Sequence, residues 1–95
     1  MTTSDVTTRD NPDEGRFEIL VGDEVAGFTH YSVEDGVATM PHTVVEKAYD
    51  GQGLGSRLAD YALDTLRERG LKVRPLCPFI KGYIDRHEEY ADLVA

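Results

Sequence analysis

Residues 44–58 decide the fold of this chain, and they read Val44-Val45-Glu46-Lys47-Ala48-Tyr49-Asp50-Gly51-Gln52-Gly53-Leu54-Gly55-Ser56-Arg57-Leu58. A short apolar run enters a loop with three glycines, and the loop opens directly into an amphipathic helix. Because Gly51, Gly53 and Gly55 lack a Cβ, the backbone there can adopt positive φ angles and approach a ligand closely. The amides at the start of the helix and the positive end of its dipole would face the same ligand. The stretch therefore predicts a phosphate site.

The glycine spacing narrows the kind of phosphate ligand. A Walker loop ends in Gly-Lys-Ser/Thr, where the lysine reaches the outer phosphates and the hydroxyl binds magnesium. Here Gly55 is followed by Ser56 with no lysine between them. The dinucleotide pattern G-x-G-x-x-G, started at Gly51, would need its third glycine at Ser56. Nucleoside triphosphate hydrolysis and dinucleotide binding are both disfavoured.

The loop resembles that of one large superfamily. Residues 50–55 are similar to the R/Q-x-x-G-x-G/A loop of the GNAT N-acetyltransferases, which holds the pyrophosphate of acetyl-coenzyme A. Three more segments resemble the minimal, YjdJ-type branch: Met40-Pro41-His42-Thr43, Pro75-Leu76-Cys77-Pro78-Phe79 and Arg86-His87-Glu88-Glu89-Tyr90-Ala91-Asp92-Leu93. The resemblance covers residues 17–94 and departs at Asp50, where the superfamily at large has Arg or Gln. The chain also lacks the length for the two helices that cover the acceptor in larger members.

The resemblance implies an activity and a set of site residues. The implied reaction transfers an acetyl group from acetyl-coenzyme A, a substrate, to a small-molecule or peptide amine. The residues expected to bind acetyl-coenzyme A are Val44, Val45, Gly51, Gln52, Gly53, Leu54, Gly55 and Ser56. The residues expected to be catalytic are His42 and Cys77, lying beside each other. Neither the acceptor nor the oligomeric state has a signature in the sequence.

Two roles stay open for each catalytic candidate. Pro78 suits the first position of a helix, which makes Cys77 the N-cap, where the helix dipole favours a thiolate. Cys77 could then relay the acetyl group covalently, or it could pack as a small buried hydrophobic residue. His42, at the bend before the glycine loop, could act as general base in a direct transfer. It could equally be a structural histidine.

The other histidines and most aromatic residues are expected to be structural. His30 alternates on a strand and should have an ordinary backbone or solvent partner. His87 falls near the end of a helix, where a cationic side chain suits the dipole. The aromatic residues expected in the core are Phe17, Phe28, Tyr31, Tyr61 and Phe79.

The periodicity of the chain predicts an α/β fold with a mixed sheet, in which an antiparallel meander is followed by a strand-loop-helix-strand crossover and a C-terminal helix. Residues 1–15, rich in Thr, Asp and Asn, are expected to form a disordered tail before one GNAT-like domain at 16–95. Strands are predicted at 17–21, 25–31, 37–45 (bent at Pro41) and 71–76, with hairpin turns at 22–23 and 35–36. Helices are predicted from Leu54 to Gly70, at 79–86 and at 89–94.

Composition bounds the class of protein. The chain has 95 residues and a formal net charge of −8. Chains of this size form one core, and nucleic acids or anionic membranes bind clustered Lys and Arg instead of a dispersed acidic surface. There is no apolar run of about 18 residues and no basic-then-apolar leader, so we expect a cytoplasmic protein. One cysteine and three scattered histidines predict no metal site.

The sequence leaves open the reason for the acidic surface and two alternative functions. The acidic surface is typical of proteins adapted to high salt, and equally of ordinary soluble acidic proteins. The domain could bind coenzyme A in a regulatory role without turnover. It could also be a small protein-interaction domain that uses a sheet edge.

Overall fold

The structure is a computed structural model that describes residues 5–49 and 51–95. Within them the chain folds, in order, into β1 (Val6–Asn11), β2 (Arg16–Val21), β3 (Glu24–His30), β4 (Ser32–Glu34), β5 (Val37–Met40), β6 (Thr43–Val45), α1 (Leu54–Glu68), β7 (Lys72–Pro75) and α2 (Pro78–Arg86). Short 3₁₀ segments occupy Lys47–Tyr49 and Glu88–Leu93. The strands form a four-stranded sheet, ordered β1-β2-β3-β6, and a three-stranded sheet, ordered β4-β5-β7. The predicted mixed α/β fold is confirmed.

The two sheets part at Pro41 and His42. β5 pairs with β4 and β7, whereas β6 pairs with β3. The carbonyl of Met40 accepts a hydrogen bond from the amide of Cys77 at 2.9 Å, and the carbonyl of His42 accepts one from the amide of His30 at 3.1 Å. Since Pro41 has no N–H to satisfy, the chain can leave one ladder and join the other at this point. The predicted single bent strand is therefore two strands in different sheets.

Helix α1 closes the core against both sheets. It contacts β2 and β3 of one sheet and β7 of the other. Its buried side chains recur with helical spacing, as predicted: Leu54, Leu58, Ala59, Ala62, Leu63 and Leu66. β5 and β7 run parallel with α1 between them in sequence, which confirms the predicted crossover. Burying each leucine contributes about 2 kcal/mol, so α1 holds the two sheets in place.

The predicted disordered tail is wrong for residues 6–11. They form β1, which pairs antiparallel with β2 along its whole length. Asp10 fixes its end, accepting hydrogen bonds of 2.7 Å from the Arg69 guanidinium and 2.7 Å from the Tyr31 hydroxyl. The polar composition concealed this strand, because backbone pairing and cross-strand polar contacts stabilise it more than apolar burial does. The start of the predicted tail, up to residue 4, lies outside the described residues.

Neither a membrane-spanning helix nor a metal-binding cluster occurs among residues 5–49 and 51–95. No helix in that part of the chain is long and apolar enough to cross a membrane. The longer α-helix, α1, has 15 residues, whereas a span needs about 20. No group of three His, Cys, Asp or Glu side chains there is arranged to hold a metal ion.

Gly27 allows β6 to lie against β3, and its replacement by alanine tests this. The new Cβ would lie 2.8 Å from the Val44 carbonyl oxygen and 3.3 Å from the Val45 Cα, so backbone must move. We expect Gly27→Ala to lower the free energy of unfolding by about 1–3 kcal/mol, measured by urea denaturation. The control is Gly82→Ala inside α2, whose Cβ would meet only the flexible end of Arg86 at 3.4 Å. That variant should gain up to about 1 kcal/mol, and equal effects in both would contradict the account.

Candidate active site

The glycine loop presents unpaired amides at the start of α1. Gly51 and Gly53 have φ angles of 80° and 73°, while Asp50 lies outside the described residues. Gly53 is the N-cap, no side chain caps this end, and the first turn contains no acidic residue. The amide of Arg57 donates to the Gly53 carbonyl at 3.2 Å, so the amides of residues 54–56 have no acceptor within the helix. These amides and the helix dipole favour an anion.

Gly55 serves the site for a different reason from the one predicted. It lies inside α1 without a positive φ, so the glycine permits a close approach here and not a left-handed conformation. A Cβ on Gly55 would lie 2.9 Å from Cζ of Phe79. The glycine therefore lets the aromatic ring approach the loop. Phe79, expected in the core, is instead 37% exposed.

A cavity of about 420 Å³ lies beside the loop, β6 and α2. Its lining residues are Thr43, Val45, Tyr49, Gly51, Gly53, Leu54, Gly55, Ser56 and Phe79. This volume is typical of small-molecule sites, which span about 300–1,000 Å³. Most of the predicted binding residues line the cavity, whereas Val44 and Gln52 do not. Sequence reasoning missed Thr43, Tyr49 and Phe79 as lining residues.

The outer edge of β6 borders this cavity. β6 is the last strand of its sheet, so among the described strands only β3 pairs with it. The amide of Glu46 donates to the carbonyl of Ala26 on β3 at 2.8 Å. Because alternate residues of an antiparallel strand bond to the same neighbour, Val44 also directs its backbone toward β3. Thr43 and Val45 direct their N–H and C=O groups to the outer edge.

Cys77 lies behind Thr43, at the start of α2. It is the helix N-cap and is followed by Pro78, which confirms the prediction from the proline. Its thiol, 3% exposed, donates a hydrogen bond to the Thr43 hydroxyl at 3.3 Å, and that hydroxyl donates to the buried Thr29 hydroxyl at 2.9 Å. The Cys77 thiol is therefore buried and hydrogen-bonded to a residue that lines the cavity.

His42 pairs with His30, and this partner was missed. Nδ1 of His30 lies 2.6 Å from Nε2 of His42. The two residues are opposite each other across β3 and β6, on the same face as Phe28. Since side chains alternate along a strand, Thr43 and the Cys77 thiol bound to it lie on the other face. The structure therefore does not bring His42 beside Cys77 as expected. The register between the two strands brings these histidines together, and that register is known only once the tertiary fold is known.

The surroundings of His30 keep it neutral. Burial lowers the pKa of His30, and the charges of His42 and Arg16 lower it further, against the opposing effect of Glu14. Arg16 is itself bound to the buried Glu18 at 2.6 Å. In a ring-to-ring hydrogen bond one nitrogen donates and the other accepts. If the accepting nitrogen were also protonated, no acceptor would be left between the two rings. Low pH therefore weakens this contact.

Tyr83 and Tyr90 are structural and not part of the cavity. Both are buried; the Tyr83 hydroxyl donates to Asp60 of α1, and the single proton of the Tyr90 hydroxyl is directed to Asp64 at 2.8 Å, with Asp60 3.1 Å away. Burial and these carboxylates raise the pKa of both phenols. His87 stacks on Tyr83 and its Nδ1 lies 2.7 Å from the Tyr83 carbonyl oxygen. These contacts fasten α2 and the last 3₁₀ segment to α1.

The family follows from the sequence match. The sequence model of the GCN5-related N-acetyl-transferase family matches residues 16–93. The chain therefore belongs to this family of acetyltransferases. The narrower resemblance to the YjdJ-type branch stays a prediction. No curated protein matches the chain.

Two solved structures share the fold. A GCN5-like protein from Staphylococcus aureus, determined by NMR in solution, is 23% identical with a TM-score of 0.70, over 100% of this chain and 91% of that one. The ribosomal-protein-S18-alanine N-acetyltransferase from Escherichia coli is 29% identical with a TM-score of 0.58, over 61% of this chain. The match spans 38% of the Escherichia coli enzyme. The GNAT-like fold is thereby confirmed.

The contact between Gly55 and Phe79 can be tested without any ligand. Alanine normally stabilises a helix over glycine by up to about 1 kcal/mol, but here the Cβ would meet the Phe79 ring at 2.9 Å. We expect Gly55→Ala to lower the free energy of unfolding in the parent chain and to raise it in a Phe79→Ala background. Urea denaturation of all four proteins should give a coupling of about 1 kcal/mol or more. Additive effects would mean that the ring does not rest on Gly55.

Proposed function

We propose that this chain transfers an acetyl group from acetyl-coenzyme A to a small-molecule or peptide amine. The observation that carries the proposal is the cavity, which connects the unpaired amides of α1 to the outer edge of β6. Coenzyme A has a pyrophosphate, then two amides in its pantetheine arm, then the sulfur. The cavity therefore offers matching groups for both the pyrophosphate and the pantetheine arm.

The proposed phosphate contacts are the amides of residues 54–56. A Cβ at Gly53 would meet no atom within 4 Å, so the space above this glycine is free for a phosphate. The side chain of Arg57, exposed on the first turn, adds a positive charge. In a chain with a net charge of −8, this terminus without acidic residues is a local exception that favours an anion.

The proposed pantetheine contacts are the backbone groups of Thr43 and Val45. An extended ligand can pair with an exposed strand edge as an added strand would. Val44, expected to contribute its backbone, has its N–H and C=O directed to β3 instead. We therefore assign this role to Thr43 and Val45, and none to Val44.

We propose direct transfer without an acetyl-cysteine. The amine nitrogen attacks the thioester carbon, the carbon–sulfur bond breaks, the amine loses a proton and the coenzyme A thiolate needs one. We assign the Cys77 thiol as the proton donor to the leaving thiolate, acting through the Thr43 hydroxyl that it contacts at 3.3 Å and that lines the cavity. We assign His42, whose side chain lies on the opposite face from that of Thr43, as the base that takes the amine proton. A covalent relay would require the Cys77 sulfur itself to reach the thioester carbon, whereas this side chain is 3% exposed and lies behind Thr43.

Cofactor binding is tested by a matched pair of glycine variants. Gly53 and Gly70 both have a φ of 73° and open space where a Cβ would point, so alanine at either site costs about 1–2 kcal/mol of backbone strain. Only Gly53 lies at the proposed phosphate site. Calorimetry with acetyl-coenzyme A should show at least tenfold weaker binding for Gly53→Ala, and parent affinity for Gly70→Ala. Equal affinities of Gly53→Ala and Gly70→Ala would mean that the loop only begins the helix and does not bind the phosphate.

Measurements of coenzyme A binding and of acetyl transfer also distinguish the two alternative functions from an acetyltransferase. Tight binding of coenzyme A with no acetylation of any amine tested would favour a regulatory module. Absence of binding and of any thermal shift with coenzyme A would favour a protein-interaction domain. The acetyltransferase predicts both binding and turnover.

Direct transfer is tested by incubation with acetyl-coenzyme A in the absence of an amine. Mass spectrometry should show no acetyl group added to the protein. Cys77→Ser, whose hydroxyl is a weaker acid than the thiol, and Cys77→Ala should both keep measurable turnover, with a loss of kcat of up to about 100-fold, the lower range for a positioned acid. An acetyl group on Cys77, with inactive Cys77→Ser, would establish the covalent relay instead.

A further inference from the structure

We infer that His30 is a positioning residue that holds His42 in one tautomer. The catalytic part of this inference, that His42 acts as a base, rests on the proposed function. With Nε2 of His42 directed at Nδ1 of His30 at 2.6 Å, only Nδ1 of His42 is free to take a proton from an amine. His42 must then be the Nε2–H tautomer, donating to Nδ1 of His30.

The two rings are fixed by the backbone ladder between β3 and β6. The amide of His30 donates to the carbonyl of His42 at 3.1 Å, so the residues are directly opposite each other. Phe28, two residues earlier on β3, packs against the His30 ring with a centroid distance of 5.0 Å. Arg16 lies over the Phe28 ring at 4.3 Å. Side chains on β2 and β3, together with His42, therefore limit where the His30 ring can turn.

The charges around His30 suit it as an acceptor. The titratable and charged groups that act on it are His42, Arg16 and Glu14, and burial together with His42 and Arg16 lowers the pKa of His30. A neutral His30 has one ring nitrogen without a proton, and the geometry places Nδ1 toward His42. When His42 takes the amine proton on Nδ1, it becomes an imidazolium whose Nε2–H donates more strongly to His30. The lowered pKa of His30 opposes transfer of that proton to His30.

Two substitutions of His30 separate positioning from simple packing. In His30→Gln the side-chain carbonyl can still accept from Nε2–H of His42, whereas His30→Phe keeps a ring and offers no acceptor. ¹⁵N NMR of the full chain without any ligand should show the Nε2–H tautomer of His42 in the parent and in His30→Gln, and a mixture in His30→Phe. The control, His87→Gln, alters a histidine bound to the Tyr83 carbonyl and should leave the His42 signals unchanged. An unchanged His42 tautomer in His30→Phe would overturn the inference.

Kinetics give the second readout. For His30→Phe we expect kcat to fall by about 100-fold and the acid limb of kcat/KM to move to lower pH, with KM for acetyl-coenzyme A unchanged. His30→Gln should recover most of the loss. A His30→Phe enzyme within twofold of the parent, with the same pH profile, would overturn the role of His30. A parent protein that binds but transfers no acetyl group would overturn the proposed function, and the NMR comparison would still decide the tautomer.

Discussion

The parting of the two sheets at Pro41 and His42 is the constraint on which the rest of the structure depends. A continuous strand would use both of its edges in ladders and would leave no backbone free beside the glycine loop. Pro41 has no N–H to satisfy, and on either side of it the Met40 carbonyl accepts from the amide of Cys77, which follows β7, while the His42 carbonyl accepts from the amide of His30 on β3. β6 then ends its sheet with an outer edge, and that edge borders the cavity. Helix α1, packed on both sheets, fixes the separation.

The two faces of β6 divide the chemistry of the site. On one face, a chain of hydroxyls from Thr29 through Thr43, which lines the cavity, reaches the buried Cys77 thiol. On the opposite face, His42 meets His30. The strand and the residue before it therefore place a buried thiol on one face of the sheet and a histidine pair on the other. In the proposed reaction the leaving thiolate and the attacking amine need these two groups separately.

The parts of this structure that the sequence predicts depend on local rules. Three glycines before an amphipathic helix mark the loop, Asp35-Gly36 forms its turn with positive φ at both residues, and Pro78 marks Cys77 as an N-cap. The missed parts depend on contacts between distant residues. β1 is a polar strand whose Asp10 binds Arg69, 59 positions later. The histidine pair, the hydroxyl chain and the Phe79 ring on Gly55 likewise arise only once strand register and helix packing are set.

Amide hydrogen exchange by NMR, with and without coenzyme A, tests the central claim most directly, because it reports each backbone N–H separately. The account predicts that coenzyme A slows exchange at Thr43, Val45 and residues 54–56. Val44, whose amide already faces β3, should change little. Protection of Val44 in place of its two neighbours, or no change at residues 54–56 under saturating coenzyme A, would contradict the account.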